Sequence, residues 1–362
     1  MGQRKRDICR GVRGVKIFWP PTAISPSICR QTATVDRNVS EIKDLDKTAI
    51  VSRDDVIAAA ARIGGLVERT PLIETEVAGI RVWLKCECLQ TGGAFKLRGA
   101  TNRLLQLSRE EQERGVVAFS SGNHARGVAI AAKRLGMRAV IVMPSDAPQV
   151  KVDGTRAEGA EIVFHDRRTE SREAIAQRIS DETGATVVPS FDDPAIIAGQ
   201  GTAGLEIVAQ FGRTPQRIAI PCGGGGLASG IALAVPEADI VVVEPDGWDD
   251  MKRSLELGEI VPVAADAPAT ILDALQTPRV SPITFGILQQ RNATALSVGD
   301  DEAAEAMRFA WERHQLVVEP GGAAALAAVL TGKLPPVEDT VVVLSGGNVD
   351  PELHARITAQ VA

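Results

Sequence analysis

An α/β architecture, with short buried strands alternating with helices, is what this 362-residue sequence predicts. Three observations carry that expectation. First, the runs VVAFS (116–120), AVIVM (139–143), EIVFH (161–165), TVVP (186–189), RIAIP (217–221), DIVVVEP (239–245) and TVVVLS (340–345) are short, β-branched and nearly all apolar. Strands buried on both faces of a parallel sheet have that character. Second, helix-length segments separate the earlier runs, as layered α/β folds require. Third, several runs end in small and polar residues, where such sheets bind ligands.

The elements follow in order. Residues 1–45 stand apart from the rest: Arg4, Lys5, Arg6, Arg10, Arg13 and Lys16 precede Pro20-Pro21 and Ser25-Pro26, and no hydrophobic periodicity follows. A disordered tail, or a start codon placed too early, is expected there. An organelle transit peptide is the competing reading. Order begins near Ser52, which forms a capping box with Asp55 ahead of Val56, Ile57, Ala60 and Ile63 at helical spacing, ending at Gly64-Gly65. Arg81–Cys88 reads as a strand. Ser108 and Glu111 open a further helix that Gly115 closes.

Bulk properties narrow the function. A 44% hydrophobic chain of this length has ample material for a core. Its net charge of -6 offers no basic surface to nucleic acid. No apolar run approaches the ~18 residues that cross a bilayer. The five cysteines, at 9, 29, 86, 88 and 222, form no evident disulfide framework, and a cytoplasmic location is expected. With four histidines and no tyrosine, a His-rich metal centre and a Tyr base are both poorly supplied.

Four motifs carry chemistry. Lys96 lies in Thr91-Gly92-Gly93-Ala94-Phe95-Lys96-Leu97-Arg98-Gly99-Ala100, among small residues and one aromatic. Desolvation there would free a nucleophilic amine, able to form a Schiff base with an aldehyde. Ser120-Ser121-Gly122-Asn123-His124 joins a strand to a helix, where free N–H groups and the helix dipole favour an anion. Ordinary N-capping explains it equally well. Gly223-Gly224-Gly225-Gly226-Leu227 also joins a strand to a helix, and its glycines allow several N–H groups to converge on a phosphate. A dinucleotide site is the rival, because Gly223-x-Gly225-x-x-Ala228 is followed by Glu244 about 20 residues later. Ser345-Gly346-Gly347-Asn348 closes the last strand and could present a hydroxyl to a ring nitrogen, or simply be a turn.

Together these motifs, in this order, resemble the fold-type II pyridoxal-phosphate (PLP) enzymes of the threonine/serine dehydratase and serine racemase group. Lys85-x-Glu87, Gln90, Arg98-Gly99-Ala100 and Asp193-Pro194-x-x-Ile197-Ala198-Gly199-Gln200-Gly201-Thr202 add to the resemblance, which spans roughly residues 50–362. It implies a tryptophan synthase β-like fold of two α/β domains with the cofactor in the cleft. The large domain would comprise residues 46–114 and 193–362, and a small mobile domain residues 115–192. Lys96 would carry PLP and move the Cα proton, Phe95 would pack on the ring, and Asn123 would meet its hydroxyl. Gly223, Gly224, Gly225, Gly226 and Leu227 would hold the phosphate, and Ser345 the ring nitrogen. Ser121, Gly122, Asn123 and His124 would hold the substrate carboxylate, with Ser121 as the opposite-face base if the enzyme racemises. Glu244, Asp250 and the backbone at Trp248 would bind Mg²⁺ or Ca²⁺, a set whose hard oxygens suit such ions. The implied reaction is dehydration and deamination of a β-hydroxy amino acid, L-threonine or L-serine first. Serine racemisation and 3-hydroxyaspartate dehydration are alternatives on the same scaffold, and an NAD-dependent oxidoreductase is the alternative from another class. A homodimer acting on a small amino acid is implied as well. Asp273-Ala274-Leu275-Gln276-Thr277-Pro278 points to a specialised substrate pocket.

Overall fold

The β-branched runs pair into two sheets, and the loops at their ends gather around one cleft. The computed structural model describes residues 50–120, 122–147 and 149–359. The extension expected over residues 1–45, and Ser121, lie outside the described residues.

The chain opens with α1 (Arg53–Ile63), β1 (Leu72–Val77), β2 (Ile80–Lys85), α2 (Lys96–Leu104), α3 (Arg109–Arg114) and β3 (Val116–Phe119). Next come α4 (Asn123–Arg134), β4 (Ala139–Pro144), α5 (Gln149–Ala157), β5 (Glu161–His165), α6 (Arg172–Thr183), β6 (Thr186–Val187) and α7 (Pro194–Phe211). Then follow β7 (Arg217–Pro221), α8 (Gly226–Ala234), β8 (Asp239–Pro245), α9 (Asp250–Leu257), α10 (Pro282–Gln290) and β9 (Thr294–Val298). The chain closes with α11 (Asp300–His314), α12 (Pro320–Leu330), β10 (Thr340–Val343) and α13 (Pro351–Thr358).

The larger sheet has the order β1-β2-β10-β7-β8-β9, parallel except for the β1–β2 pair. The smaller has the order β5-β4-β3-β6 and is parallel throughout. Alternation along the larger sheet's strands divides the core in two. Val241, Val243, Val342 and Leu344 pack with Ala303, Ala306 and Leu326 on one face. Ile240, Val242, Val341 and Val343 pack with Ile197, Ala203 and Ile231 on the other. Burying both faces is what made these runs apolar throughout.

Both capping boxes form as read, Ser52 with Asp55 and Ser108 with Glu111. The strand expected over Arg81–Cys88 stops at Lys85, and Glu87–Leu89 turns into a single 3-10 turn. That turn carries the Glu87 carboxylate inward to Arg98, at 2.7 and 2.8 Å. Arg98 also reaches Glu206 at 2.7 and 2.8 Å, and Lys85 Nζ reaches the same Glu206 at 2.6 Å. Two buried cations thus meet two carboxylates directly beneath α2, and opposite charge offsets the desolvation of each.

Close helix packing fixes α2 further. A Cβ on Gly199 would lie 2.6 Å from the Gly99 Cα, and one on Gly201 would lie 2.5 Å from the Gly230 carbonyl oxygen. Only glycine permits these approaches, so α2, α7 and α8 touch along their backbones. Lys96, the first residue of α2, starts from a rigid base.

Candidate active site

Lys96 reaches into a cavity of about 580 Å³ that opens between the ends of the two sheets. Its Nζ donates to the Ser190 carbonyl at 2.9 Å and lies 5.1 Å from the centre of the Phe95 ring. No carboxylate is bonded to it among the described residues. The enclosing walls strip water from the amine and lower its pKa to about 8. A usable fraction of free amine therefore exists near neutral pH.

The wall opposite is the loop after β7. Gly223, Gly224, Gly225, Gly226 and Leu227 all line the cavity. A Cβ on Gly224 would fall 2.3 Å from the Phe191 ring, and one on Gly223 would fall 2.9 Å from Thr277 Oγ1. Gly225 adopts φ +84° to cap α8, whose first N–H groups face the loop. This is a cradle of backbone amides with room for a phosphate and none for side chains. Glu244 does not serve it as a dinucleotide's ribose partner. It is fully buried, with one oxygen accepting from the Met251 amide at 3.0 Å and the other from the Lys252 amide at 2.8 Å.

A third wall comes from α4 and the strand ends. Asn123 donates from Nδ2 to Glu319 Oε1 at 2.5 Å and accepts at Oδ1 from Asn348 Nδ2 at 2.8 Å. One amide N–H of Asn123 remains for the cavity. His124 also lines the cavity, and its ring Nε2 lies 2.9 Å from the Val188 carbonyl. Burial, with the nearby Lys96 charge, holds its pKa down to about 3, so the ring is neutral. Because a carbonyl only accepts, the proton sits on Nε2. Any anion bound here would meet backbone amides of α4 rather than this imidazole. Ser345 lies two residues past β10, its backbone carbonyl accepting from the Phe95 amide at 3.2 Å, and it also lines the cavity.

The structure therefore brings Phe95, Lys96, Gly122, Asn123, His124, the four glycines, Leu227 and Ser345 to one cavity, together with Asp273 to Thr277. Two residues had drawn no role from the sequence. Glu319 is buried, and burial raises its carboxyl to about 7 against the lowering effect of Asn123. Its one sequence signal is an acid placed directly before the wholly apolar α12. Asn348 stood in a motif, but its bridging position depends on the tertiary fold.

The proposed metal residues lie outside this cavity. Asp250 is buried, and neither carboxylate oxygen has a hydrogen-bond partner among the described residues. Trp248 uses its Nε1 on the Pro268 carbonyl at 2.7 Å. Among the described residues, no three His, Cys, Asp or Glu side chains gather to hold a metal. No described helix is long and apolar enough to cross a membrane.

Residues 63–346 match the family described as "Pyridoxal-phosphate dependent enzyme". The chain belongs to that family. Within it, the chain is 43% identical to the L-threo-3-hydroxyaspartate ammonia-lyase of Pseudomonas sp over 315 residues, covering 84% of this chain and 98% of that protein. It is 38% identical to the serine racemase of Schizosaccharomyces pombe, covering 87% and 99%. The solved maize serine racemase superposes with a TM-score of 0.80 at 35% identity, covering 86% and 97%. These relatives identify a fold-type II PLP enzyme of the threonine/serine dehydratase group. The site fits that cofactor on its own terms: a desolvated lysine faces an amide cradle that side chains cannot enter.

Proposed function

We propose that this enzyme is a PLP-dependent ammonia-lyase that dehydrates and deaminates a β-hydroxy-α-amino acid to a 2-oxo acid and ammonia. The observation that carries the reading is the Lys96 amine, held near a pKa of 8 and facing the Gly223–Gly226 cradle across one cavity. L-Threonine and L-serine are the first substrates to test. The printed name of the Pseudomonas relative adds L-threo-3-hydroxyaspartate.

In this reading Lys96 carries the cofactor, and Gly223 to Gly226 with Leu227 hold its phosphate through backbone amides. Asn123 offers its remaining N–H to the ring oxygen, Ser345 offers a neutral hydroxyl to the ring nitrogen, and Phe95 packs against the ring. When bound, PLP supplies an electron sink that acidifies the Cα–H of an attached amino acid. Lys96, with its lowered pKa, is the group placed to accept and return that proton. The substrate carboxylate is assigned to Ser121, Gly122, Asn123 and His124, of which the last two begin α4. Glu319 and Asn348 fix the Asn123 amide from both sides.

The segment 115–192, with its own four-stranded sheet, is proposed to move as a small domain on the remainder, closing the cleft against water. The Lys151–Asp273 ion pair, at 2.5 Å, joins the two across the cavity. A divalent cation bound by Glu244, Asp250 and the Trp248 carbonyl would relieve the unpartnered Asp250 carboxylate. The chain is further read as a cytoplasmic homodimer. The identity to a serine racemase supports a second activity, inversion of serine with Ser121 as the second base.

One experiment tests the core reading. Purified enzyme supplied with PLP should show the visible absorption of a lysine-bound cofactor and release 2-oxo acid and ammonia from a β-hydroxy amino acid. Lys96→Ala should lose both. Chiral analysis of residual serine separates elimination from racemisation. Absence of the visible band in the wild-type protein would refute the proposal.

A further inference from the structure

We propose that Arg126 selects substrates bearing a second carboxylate, so that the preferred substrate class is the four-carbon β-hydroxy-α-amino dicarboxylates; this rests on the ammonia-lyase reading above.

Lys96, Arg126, Lys151, Arg167 and Arg172 all line the cavity. Three of them already hold an acid: Lys151 holds Asp273 at 2.5 Å, Arg167 holds Asp146 at 2.7 Å, and Arg172 holds Glu173 at 2.9 Å. Lys96 is committed to the cofactor. Among the described residues, Arg126 has only the Asn348 amide oxygen, at 2.9 Å, and its Nε is shut off from water with no partner. The wall's own acids are also taken, Asp273 by Lys151 and Glu319 by Asn123. A guanidinium with spare donors thus faces a cavity that, among the described residues, supplies no free carboxylate.

Position points the same way. Arg126 sits three residues after Asn123 on α4, a rise of about 4.5 Å along the helix that would hold the first carboxylate. Helical side chains lean back toward the N-terminus, which carries the guanidinium over that first turn. The helix is seated directly on the lysine segment: a Cβ on Gly127 would lie 3.1 Å from the Lys96 carbonyl carbon.

The arginine is also held in place. Asn348 donates one N–H to the Gly92 carbonyl at 2.7 Å and another to Asn123 Oδ1 at 2.8 Å, so its oxygen must face Arg126. Gly93, at φ +77°, makes room for this: a Cβ there would come 2.4 Å from Asn348 Oδ1. A methyl or hydrogen on the substrate's β-carbon would leave the guanidinium unanswered. A β-carboxylate would accept two parallel N–H bonds from it.

The test uses the full-length, PLP-loaded enzyme. We expect kcat/KM for L-threo-3-hydroxyaspartate to exceed that for L-threonine and L-serine by at least about tenfold. Arg126→Gln should lower the ratio of hydroxyaspartate to serine kcat/KM by about 10- to 100-fold, the worth of a charged hydrogen-bonded pair. Arg126→Lys, which keeps the charge without the fork, should lower it several-fold, and it stands in if the glutamine variant does not fold. Succinate should bind wild-type enzyme more tightly than butyrate in calorimetry, and Arg126→Gln should erase that difference. An unmoved ratio in the variants, or a wild-type preference for threonine or serine, overturns the proposal. If no amino acid yields oxo acid, the ammonia-lyase reading fails instead, and the succinate titration still decides the role of Arg126.

Discussion

Burial holds the Glu319 carboxyl near 7, so the folded protein binds this proton more tightly than the unfolded chain does. Its contribution to stability is complete below the unfolded value of about 4.3 and is lost as pH rises through about 7. Glu319→Gln mimics the protonated group and still accepts from Asn123. Thermal unfolding of the cofactor-free protein should therefore show the variant losing less stability than wild type between pH 5 and 7.5; parallel losses would contradict this. At Lys96 the shift runs downward, to about 8, and the nucleophile is the neutral amine. The rate of PLP capture should accordingly climb as pH rises from 6.5 to 8.5, followed by the growth of visible absorption. Lys96 and the glycine loop were legible in the sequence because adjacent residues make each motif. Glu319 and Asn348 were not, since they meet Asn123 across 196 and 225 residues of chain. Arg126 is hidden for a related reason, because what marks it is the lack of a carboxylate partner among the described residues.

Helix α2 shows how far local pattern carries and where packing takes over. Its neighbours Lys85, Glu87 and Arg98 were read as parts of a motif, yet only the fold shows that Glu206, from α7, completes the charge balance. Arg98→Met leaves the two carboxylates short of a counter-ion and should destabilise the protein by about 3–5 kcal/mol, measured by denaturant unfolding. Gly201→Ala should cost about 1–3 kcal/mol, because its new methyl meets the Gly230 carbonyl rather than a side chain that could swing aside. Caps and buried strands were readable because they depend on residues a few positions apart. The strand β1 went unread: its LIETEV pattern is half exposed, and it exists through antiparallel pairing with β2. The strand expected through Cys88 ran long because its apolar and charged alternation continues past the point where Glu87 turns inward.

At the scale of the molecule, two sheets and one cleft place the chemistry at strand ends, as the alternating pattern had implied. If segment 115–192 closes as a unit, the Lys151–Asp273 pair is part of what holds it shut. Lys151→Ala should then raise amide hydrogen exchange across α5 in the cofactor-loaded enzyme, and unchanged protection would speak against closure through that pair. The stretch that joins the small sheet to α7 has a wider consequence. Ser190 holds the Lys96 amine through its carbonyl, and the next residue, Phe191, presses its ring where the Gly224 loop leaves space. One dipeptide therefore feels both ends of whatever fills the cavity, at the point where one sheet hands over to the other. Filling the cavity would therefore change the surroundings of Ser190 and Phe191 together, one through the lysine amine and the other through the glycine loop.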